Sequence, residues 1–544
     1  MDYTLKKNDY YYLILLFLVN IGLLAYYINF NINFGIFCSD VYLYLVNALY
    51  FAGETINVSK YISLTPVLAY LTSLLFRLGI TNQIAIFIVS GLFAIIGNIG
   101  FFLLLKVKFN NILSFLGSVL FMSFSLNLAW FANGSIDIPS VALTIWAMFF
   151  LILGVNKNPK FLTLALITFT ISFFVRPTVI LFLPVAVFYY FSKRDLLSHL
   201  KDKNFDYKKE EYKYILLGII ISAIIFIFIS IKVTMGDNLS FIHQSGTAIA
   251  GLQQGFNDNA YNPNVFFYLE NFPNFLSSAN VLFIDKKLFL ANPTIFAYFL
   301  IGLLGIGLGI FLSKSLSILK TSKIKKHKLQ IAILSIMIII SILSFNNISS
   351  VLTIILTFFT LLIADDLFKK LGFKNLTLPL TFLAWILFPL IFQSYYDIKV
   401  DRYIIPSLIG ITFFIISSLY LIQSKFQKEK LFNGIYLILI VFLLCSSFTF
   451  VNNFEDTNEF KNQELIADFL IEYDPDYKDK SIGAYNIRPY TWFFSKNILA
   501  IPSSEPYKLD TNNVTYYISN IELDLDNYDL IKSNDHFYLY ERVD

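Results

Sequence analysis

The apolar runs between residues 10 and 450 contain almost no ionisable side chains, but a short set lies at one group of loop edges: Asp40, Glu54, Lys60, Asp137, Arg176, Asp397, Asp401 and Arg402. Together these types can do two things. A carboxylate can take the proton of a hydroxyl, and a guanidinium can grip a phosphate through its fork of N–H donors. Asp40 opens a run in which Val41, Tyr44, Leu45, Ala48 and Phe51 recur at helical spacing. It therefore stands at a helix N-terminus, where free backbone N–H groups favour a carboxylate. Taken alone, that pattern reads as an ordinary acidic residue on an interfacial helix. Asp137 lies in Ala132-Asn133-Gly134-Ser135-Ile136-Asp137-Ile138-Pro139. Acid followed by proline is a normal helix start, so alone it serves the capping reading as well as a chemical one.

Arg176 carries more. Residues 161–191 form one apolar stretch broken only by Arg176-Pro177, with Lys157 and Lys160 before it and Lys193 and Arg194 after it. If both flanks lie on one side, the chain crosses outward and returns. Each limb of about fifteen residues spans roughly 22 Å of helix, short of a hydrocarbon core of about 30 Å. The turn should sit below the surface and carry Arg176 with it. A guanidinium there needs an anion or a wet cavity. The spacing favours a phosphate, with a structural pairing to an outer Asp as the alternative. Asp401-Arg402-Tyr403 also reads as an interfacial anchor. His243 has no paired histidine spacing, and Cys38 and Cys445 are too few for a disulfide scaffold or a zinc site.

The elements that must hold these residues follow from composition. The chain of 544 residues is 57% hydrophobic and 14% charged, against about a quarter charged for average soluble domains. Thirteen membrane helices are expected near 10–28, 84–105, 110–130, 138–155, 161–175, 178–191, 214–231, 294–313, 329–344, 348–364, 376–395, 403–423 and 432–450. The first run lacks a small-residue cleavage site and reads as a retained helix. With a cytoplasmic N-terminus, the inner segments hold 25 of the 41 Lys and Arg, as the positive-inside rule requires. The Lys run 320–328 is then topogenic. Residues 64–78 stay out of the count as a juxtamembrane or re-entrant helix in a first outer loop, 29–83. A second long outer loop covers 233–293. The tail, 452–544, holds 18 Asp and Glu against eight Lys and Arg. It reads as a small extracytoplasmic α/β domain, with a helix near 458–472 and strands near 481–485, 497–501, 514–519, 528–532 and 537–541. Residues 1–451 form the membrane module.

In order and spacing, these residues resemble the GT-C superfamily of glycosyltransferases, in the protein O-mannosyltransferase and lipid A aminoarabinose transferase group (glycosyltransferase family 39-like). The carriers are Ser39-Asp40-Val41-Tyr42 with Ala48, Leu64-Thr65-Pro66-Val67-Leu68 through Leu75-Phe76-Arg77-Leu78-Gly79, Asp137-Ile138-Pro139, Arg176-Pro177-Thr178 and Asp401-Arg402-Tyr403-Ile404-Ile405-Pro406. Val41 stands where the family often has Glu, and Thr65-Pro66 where it often has Lys-Pro-Pro. The resemblance implies a polytopic all-α membrane protein of GT-C type, in the cell membrane, acting on the outer face. Its donor would be a dolichyl- or undecaprenyl-phosphate sugar and its acceptor a protein, lipid or glycan, with anomeric inversion and no nucleic acid. Asp40 maps onto the base and Asp137 onto the second loop aspartate. Arg176, with Lys60 or Arg402, would meet the leaving phosphate, and Tyr44 and Tyr403 complete the candidate substrate-binding set. Family members differ on metals, so a divalent ion at Asp40 and Asp137 stays open. A flippase of lipid-linked oligosaccharide or an O-antigen-type polymerase or ligase are the alternatives. The first would need polar residues through the membrane depth and often shows repeats. The second would show a late outer loop with Arg and His, and loop 233–293 has His243 but no Arg.

The topology is testable. With Cys38 and Cys445 replaced, a cysteine placed in 196–206 should be shielded from an impermeant thiol reagent in intact cells, and one in 520–530 labelled. The opposite pattern would invert the assignment.

Overall fold

The computed structural model describes residues 5–54, 65–195, 209–234, 262–277, 282–285, 288–291, 293–319, 327–373, 375–449, 459–534 and 537–543. Lys60, His243 and most of the 320–328 Lys run lie outside the described residues.

A helix stands at each of the thirteen expected positions. Eight described helices are long and apolar enough to cross a membrane: Lys7–Phe34, Ile84–Lys106, Asp137–Asn156, Glu210–Ser230, Ser350–Leu371, Thr377–Tyr395, Asp401–Phe426 and Glu429–Thr449. At the other five expected positions the helices are short or interrupted, except Ile295–Leu319, which runs 25 residues. The run near 110–130 breaks at Phe124, into Asn111–Ser123 and Ser125–Ala129. The run near 178–191 opens as a 3₁₀ segment, Pro177–Phe182, before the helix Leu183–Lys193. The other three are Lys160–Val175, Ile295–Leu319 and Lys328–Ser344.

Two short helices lie at one end of the bundle. Ser39–Ala52 ends on Gly53, whose φ of +110° lets its N–H close back on Leu49 and Tyr50. Pro66–Arg77 begins with proline at its first position after an extended Thr65. Its 12 residues give roughly 18 Å of helix, too short to span a core of about 30 Å. Its length agrees with the juxtamembrane or re-entrant helix expected there. Both pack together in a core that includes Val41, Tyr42, Leu45, Leu68, Phe76 and Phe87. Thr65 Oγ1 donates to Val175 O at 2.6 Å, so the helix start is fastened to the Arg176 turn.

Charges sort to the bundle ends. Away from these short helices, Lys106 pairs with Asp9 at 3.1 Å, Arg194 with Glu211, and Lys369 with Asp365 at 2.7 Å. A cross-helix link within the bundle is neutral, Asn98 Nδ2 donating to Asn20 Oδ1 at 3.1 Å.

Residues 459–543 form a small separate core around a five-stranded sheet, in the spatial order Leu499–Ala500, Ile482–Ala484, Tyr516–Ser519, Phe537–Arg542, Tyr528–Asn534. The first three strands run parallel and the last two join antiparallel. The helices Glu459–Tyr473 and Ile487–Phe494 contribute Ile466, Leu470, Tyr490 and Phe494 to that core. The Ile487–Phe494 helix also faces the membrane module. Trp492 stacks on Phe76 at 5.9 Å between ring centres, and Phe493 meets Tyr42 at 5.4 Å. The tail therefore sits at the bundle end that carries the two short helices.

Gly134 tests how tightly that end is built. Its φ is +87°, and a Cβ there would lie 2.7 Å from Val41 Cγ1. Gly134→Ala should destabilise by about 1–3 kcal/mol through backbone strain and overpacking. Thermal unfolding of the detergent-purified protein would register it, and an unchanged midpoint would contradict this packing.

Candidate active site

The site is built from four turns at that end, and each turn aims one charged side chain. Asp40 is the second residue of the Ser39–Ala52 helix. Asp137 opens the Asp137–Asn156 helix, where Ser135 Oγ donates to Asp137 Oδ2 at 2.5 Å and accepts from Asp137 N at 3.2 Å. That reciprocal pair fixes the rotamer of a carboxylate that is only 2% exposed. Arg176 caps the Lys160–Val175 helix with an extended backbone, φ −154°. Arg402 lies in the 3₁₀ turn Asp401–Ile404.

The four meet. Arg176 Nη1 pairs with Asp137 Oδ1. Arg402 Nε lies 3.6 Å from Asp137 Oδ2, and its Nη2 reaches Asp40 Oδ2 at 3.1 Å. Arg402 Nη1 donates to Cys38 Sγ at 3.1 Å. An aromatic face covers each guanidinium. Tyr403 lies 5.1 Å from Arg176 Cζ, and Trp130 lies 5.1 Å from Arg402 Cζ. The Trp130 indole N–H donates to Asp401 Oδ2 at 3.4 Å. Burial pushes the Tyr44 phenol up, with the Asp40 charge adding to it, so Tyr44 is a neutral donor. Burial likewise pushes the Cys38 thiol up against the pull of Arg402.

One member was not foreseen. Arg488, from the tail helix Ile487–Phe494, places Nη1 3.2 Å from Asp40 Oδ1 and 3.3 Å from Ser39 Oγ. The charges then alternate along one ladder: Arg488, Asp40, Arg402, Asp137, Arg176. A tail richer in acid than base gives no sequence signal for this. Lys399 was also missed. Its ammonium is fully buried and bonds Ser394 O at 2.7 Å and Tyr396 O at 2.5 Å, beyond the C-terminal end of the Thr377–Tyr395 helix. Burial pushes that ammonium down to about 8, with Asp397 opposing. The contact ties down the strand of chain that delivers Arg402. Tyr268 OH, donating to Val400 O at 2.9 Å, fastens the same segment from the second long loop. Glu54 joins none of these contacts, and Lys60 lies outside the described residues.

The sequence left Arg176 with two readings, a phosphate partner or an outer Asp. Asp137 is that Asp, yet Arg176 also lines a cavity. Ser140, Thr178 and Gln393 give this cavity a polar side, and Val179, Phe182 and Trp385 an apolar one. The lining chemistry suits an anion carrying a hydrocarbon chain, but at about 40 Å³ the cavity would have to open to admit one. A divalent metal fits less well, because Asp40 and Asp137 each face guanidinium groups. Among the described residues no cluster of three or more His, Cys, Asp or Glu is present.

Asp137 is the hinge of this arrangement. Asp137→Asn keeps the shape but leaves Arg176 and Arg402 without their shared counter-charge. The expected loss is about 3–5 kcal/mol, as for breaking a buried pair. It should appear as a lower melting temperature or reduced yield, and a fully stable variant would show that solvent already compensates the two cations.

Residues 63–231 match the family described as dolichyl-phosphate-mannose-protein mannosyltransferase, a span that includes Asp137 and Arg176. No curated protein matches the sequence. The chain is similar to ArnT from Cupriavidus metallidurans bound to undecaprenyl phosphate, with 9% identity, a TM-score of 0.59 and 97% of each chain covered. It is similar to the apo state of ArnT from the same organism at 9% identity and a TM-score of 0.56, with 93% of each chain covered. The archaeal oligosaccharyltransferase AglB from Archaeoglobus fulgidus, in complex with an inhibitory peptide and a dolichol-phosphate, gives 10% identity and a TM-score of 0.49 over 94% of this chain and 69% of that one. In its family match over part of its length, and in its fold over nearly all of it, the chain resembles the GT-C membrane glycosyltransferases, and the GT-C fold is the fold it has.

Proposed function

We propose that this chain is an inverting glycosyltransferase that moves a sugar from a polyprenyl phosphate to a protein, lipid or glycan hydroxyl on the extracytoplasmic face. The single observation that carries the reading is the charge ladder beside a cavity that is half apolar. The donor's isoprenoid chain would lie along Val179, Phe182 and Trp385, with its phosphate at Arg176. The match of residues 63–231 to a lipid-phosphate-sugar family supports this, as does the fold shared with a structure that binds undecaprenyl phosphate.

The chemistry follows from the charges. The acceptor oxygen forms a bond to the anomeric carbon as the bond from that carbon to the phosphate oxygen breaks. The acceptor proton passes to Asp40, and the electron pair leaves on the polyprenyl phosphate. Charge develops on that phosphate, and Arg176 and Arg402 stabilise it as it grows. Tyr403, over Arg176, and Tyr44, within electrostatic reach of Asp40 and Arg402, would orient the sugar. Attack from the face opposite the leaving group inverts the anomeric configuration. The lysine and arginine bias supports an extracytoplasmic location for this end of the bundle. The tail lies at the same end.

Membranes containing the protein should transfer label from one of a panel of radiolabelled dolichyl- and undecaprenyl-phosphate sugars. Asp40→Asn should cut turnover by about 10² or more, in the range of lost general-base help, with donor binding retained. Arg176→Lys should weaken donor binding, because the planar fork is lost while the charge is kept. Near-normal turnover in Asp40→Asn would remove Asp40 from the role of base.

A further inference from the structure

We infer that the C-terminal domain completes the active site, with Arg488 as the positioning residue that holds Asp40 for proton transfer; this rests on the reading of Asp40 as the base. The carboxylate is gripped from both sides, one oxygen by each guanidinium. Arg402 takes Oδ2 at 3.1 Å from the membrane module, and Arg488 takes Oδ1 at 3.2 Å from the tail. An aspartate held at one oxygen can still swing about its side-chain torsions. Held at both, it keeps one plane. Each oxygen retains a second lone pair for the acceptor hydroxyl, so the clamp orients the base without using it up. Ser39 Oγ, 3.3 Å from the same Nη1, fixes the Arg488 fork against the helix start.

Docking and positioning rest on different atoms. The tail is anchored by rings: Trp492 on Phe76, Phe493 on Tyr42, and Phe460 on Tyr42 at 5.4 Å. Arg488 lies beside that anchor, with its side chain 42% exposed, against 34% for Asp40. An ion pair so open to water contributes little to stability. Its presence is therefore better explained by what it does to Asp40 than by holding the domain on. The charge balance points the same way. The tail carries 18 acidic residues and only eight basic ones, yet it turns an arginine toward the membrane module's carboxylate.

The test uses the purified full-length protein and whichever radiolabelled polyprenyl-phosphate sugar the wild type turns over. Arg488→Gln should lower kcat by about tenfold or more, leaving the KM for that donor and the melting temperature unchanged. Arg488→Lys should recover part of the loss, since a cation returns without the fork. The double variant Asp40→Asn with Arg488→Gln should be no slower than Asp40→Asn alone, because residues that act as a unit are not additive. Wild-type kcat in Arg488→Gln overturns the role of Arg488, as does a raised KM with unchanged kcat. If Asp40→Asn is inactive in the same assay, the functional reading survives that result. An active Asp40→Asn, or a wild type that turns over none of the sugars, overturns the functional reading and this role with it.

Discussion

Everything at the site end depends on Asp137 sharing its charge between two arginines. A guanidinium near membrane depth is costly unless an anion or water meets it, and a carboxylate only 2% exposed is no cheaper. Placed between Arg176 and Arg402, Asp137 allows both cations to sit together beside the small cavity at the Arg176 turn. The surrounding details serve that placement. Ser135 locks the Asp137 rotamer, Gly134 lets the loop turn against Val41, and Tyr403 and Trp130 roof the two guanidiniums.

The same constraint explains the irregular helices. The chain limbs around Arg176 are short, and the second begins as a 3₁₀ turn, so the arginine is held at a bend instead of on a regular face. The bend is fastened by Thr65, which links it to the juxtamembrane helix that backs Asp40. Farther along, Lys399 and Tyr268 hold the segment that carries Arg402. Regular helices supply the frame, and the charged cluster sits in the breaks between them. At the opposite end the charged pairs stay local, Asp9 with Lys106 between two helices and Lys369 with Asp365 within one, without gathering into a ladder.

Much of this was legible in the sequence, for specific physical reasons. Apolar runs announce membrane helices because the bilayer demands them, so all thirteen helices and the short one at Pro66–Arg77 were readable. Arg176 stood out because its flanking limbs were too short. Asp40, Asp137 and Arg402 each had an ordinary explanation as a helix start or an interfacial anchor. Only the spatial meeting of the turns distinguishes them, and pairing across a bundle leaves no mark on local spacing. The choice between phosphate and Asp for Arg176 was likewise not local, and the structure contains both the Asp137 partner and the adjoining cavity. The tail's strands were expected close to where they lie, whereas the antiparallel pair Leu282–Asp285 and Leu288–Ala291 was not, since it falls inside a stretch read as an outer loop. Arg488 was invisible because its partner lies 448 residues away, and the docking of its own helix through Trp492 and Phe493 appears only in the fold.

That last separation has a bearing on how the protein is made. Asp40 and Arg488 are 448 residues apart. During synthesis the helices around Asp40, Asp137 and Arg176 enter the bilayer long before the ribosome reaches the tail. A nascent chain at that stage has an aspartate gripped on neither oxygen, then on one once Arg402 is inserted. The second grip comes only when the tail has folded and docked. Synthesis order thus sets the membrane part of the charge ladder in place before the tail can add Arg488, so that a chain stopped short of the tail carries an Asp40 held on one oxygen at most.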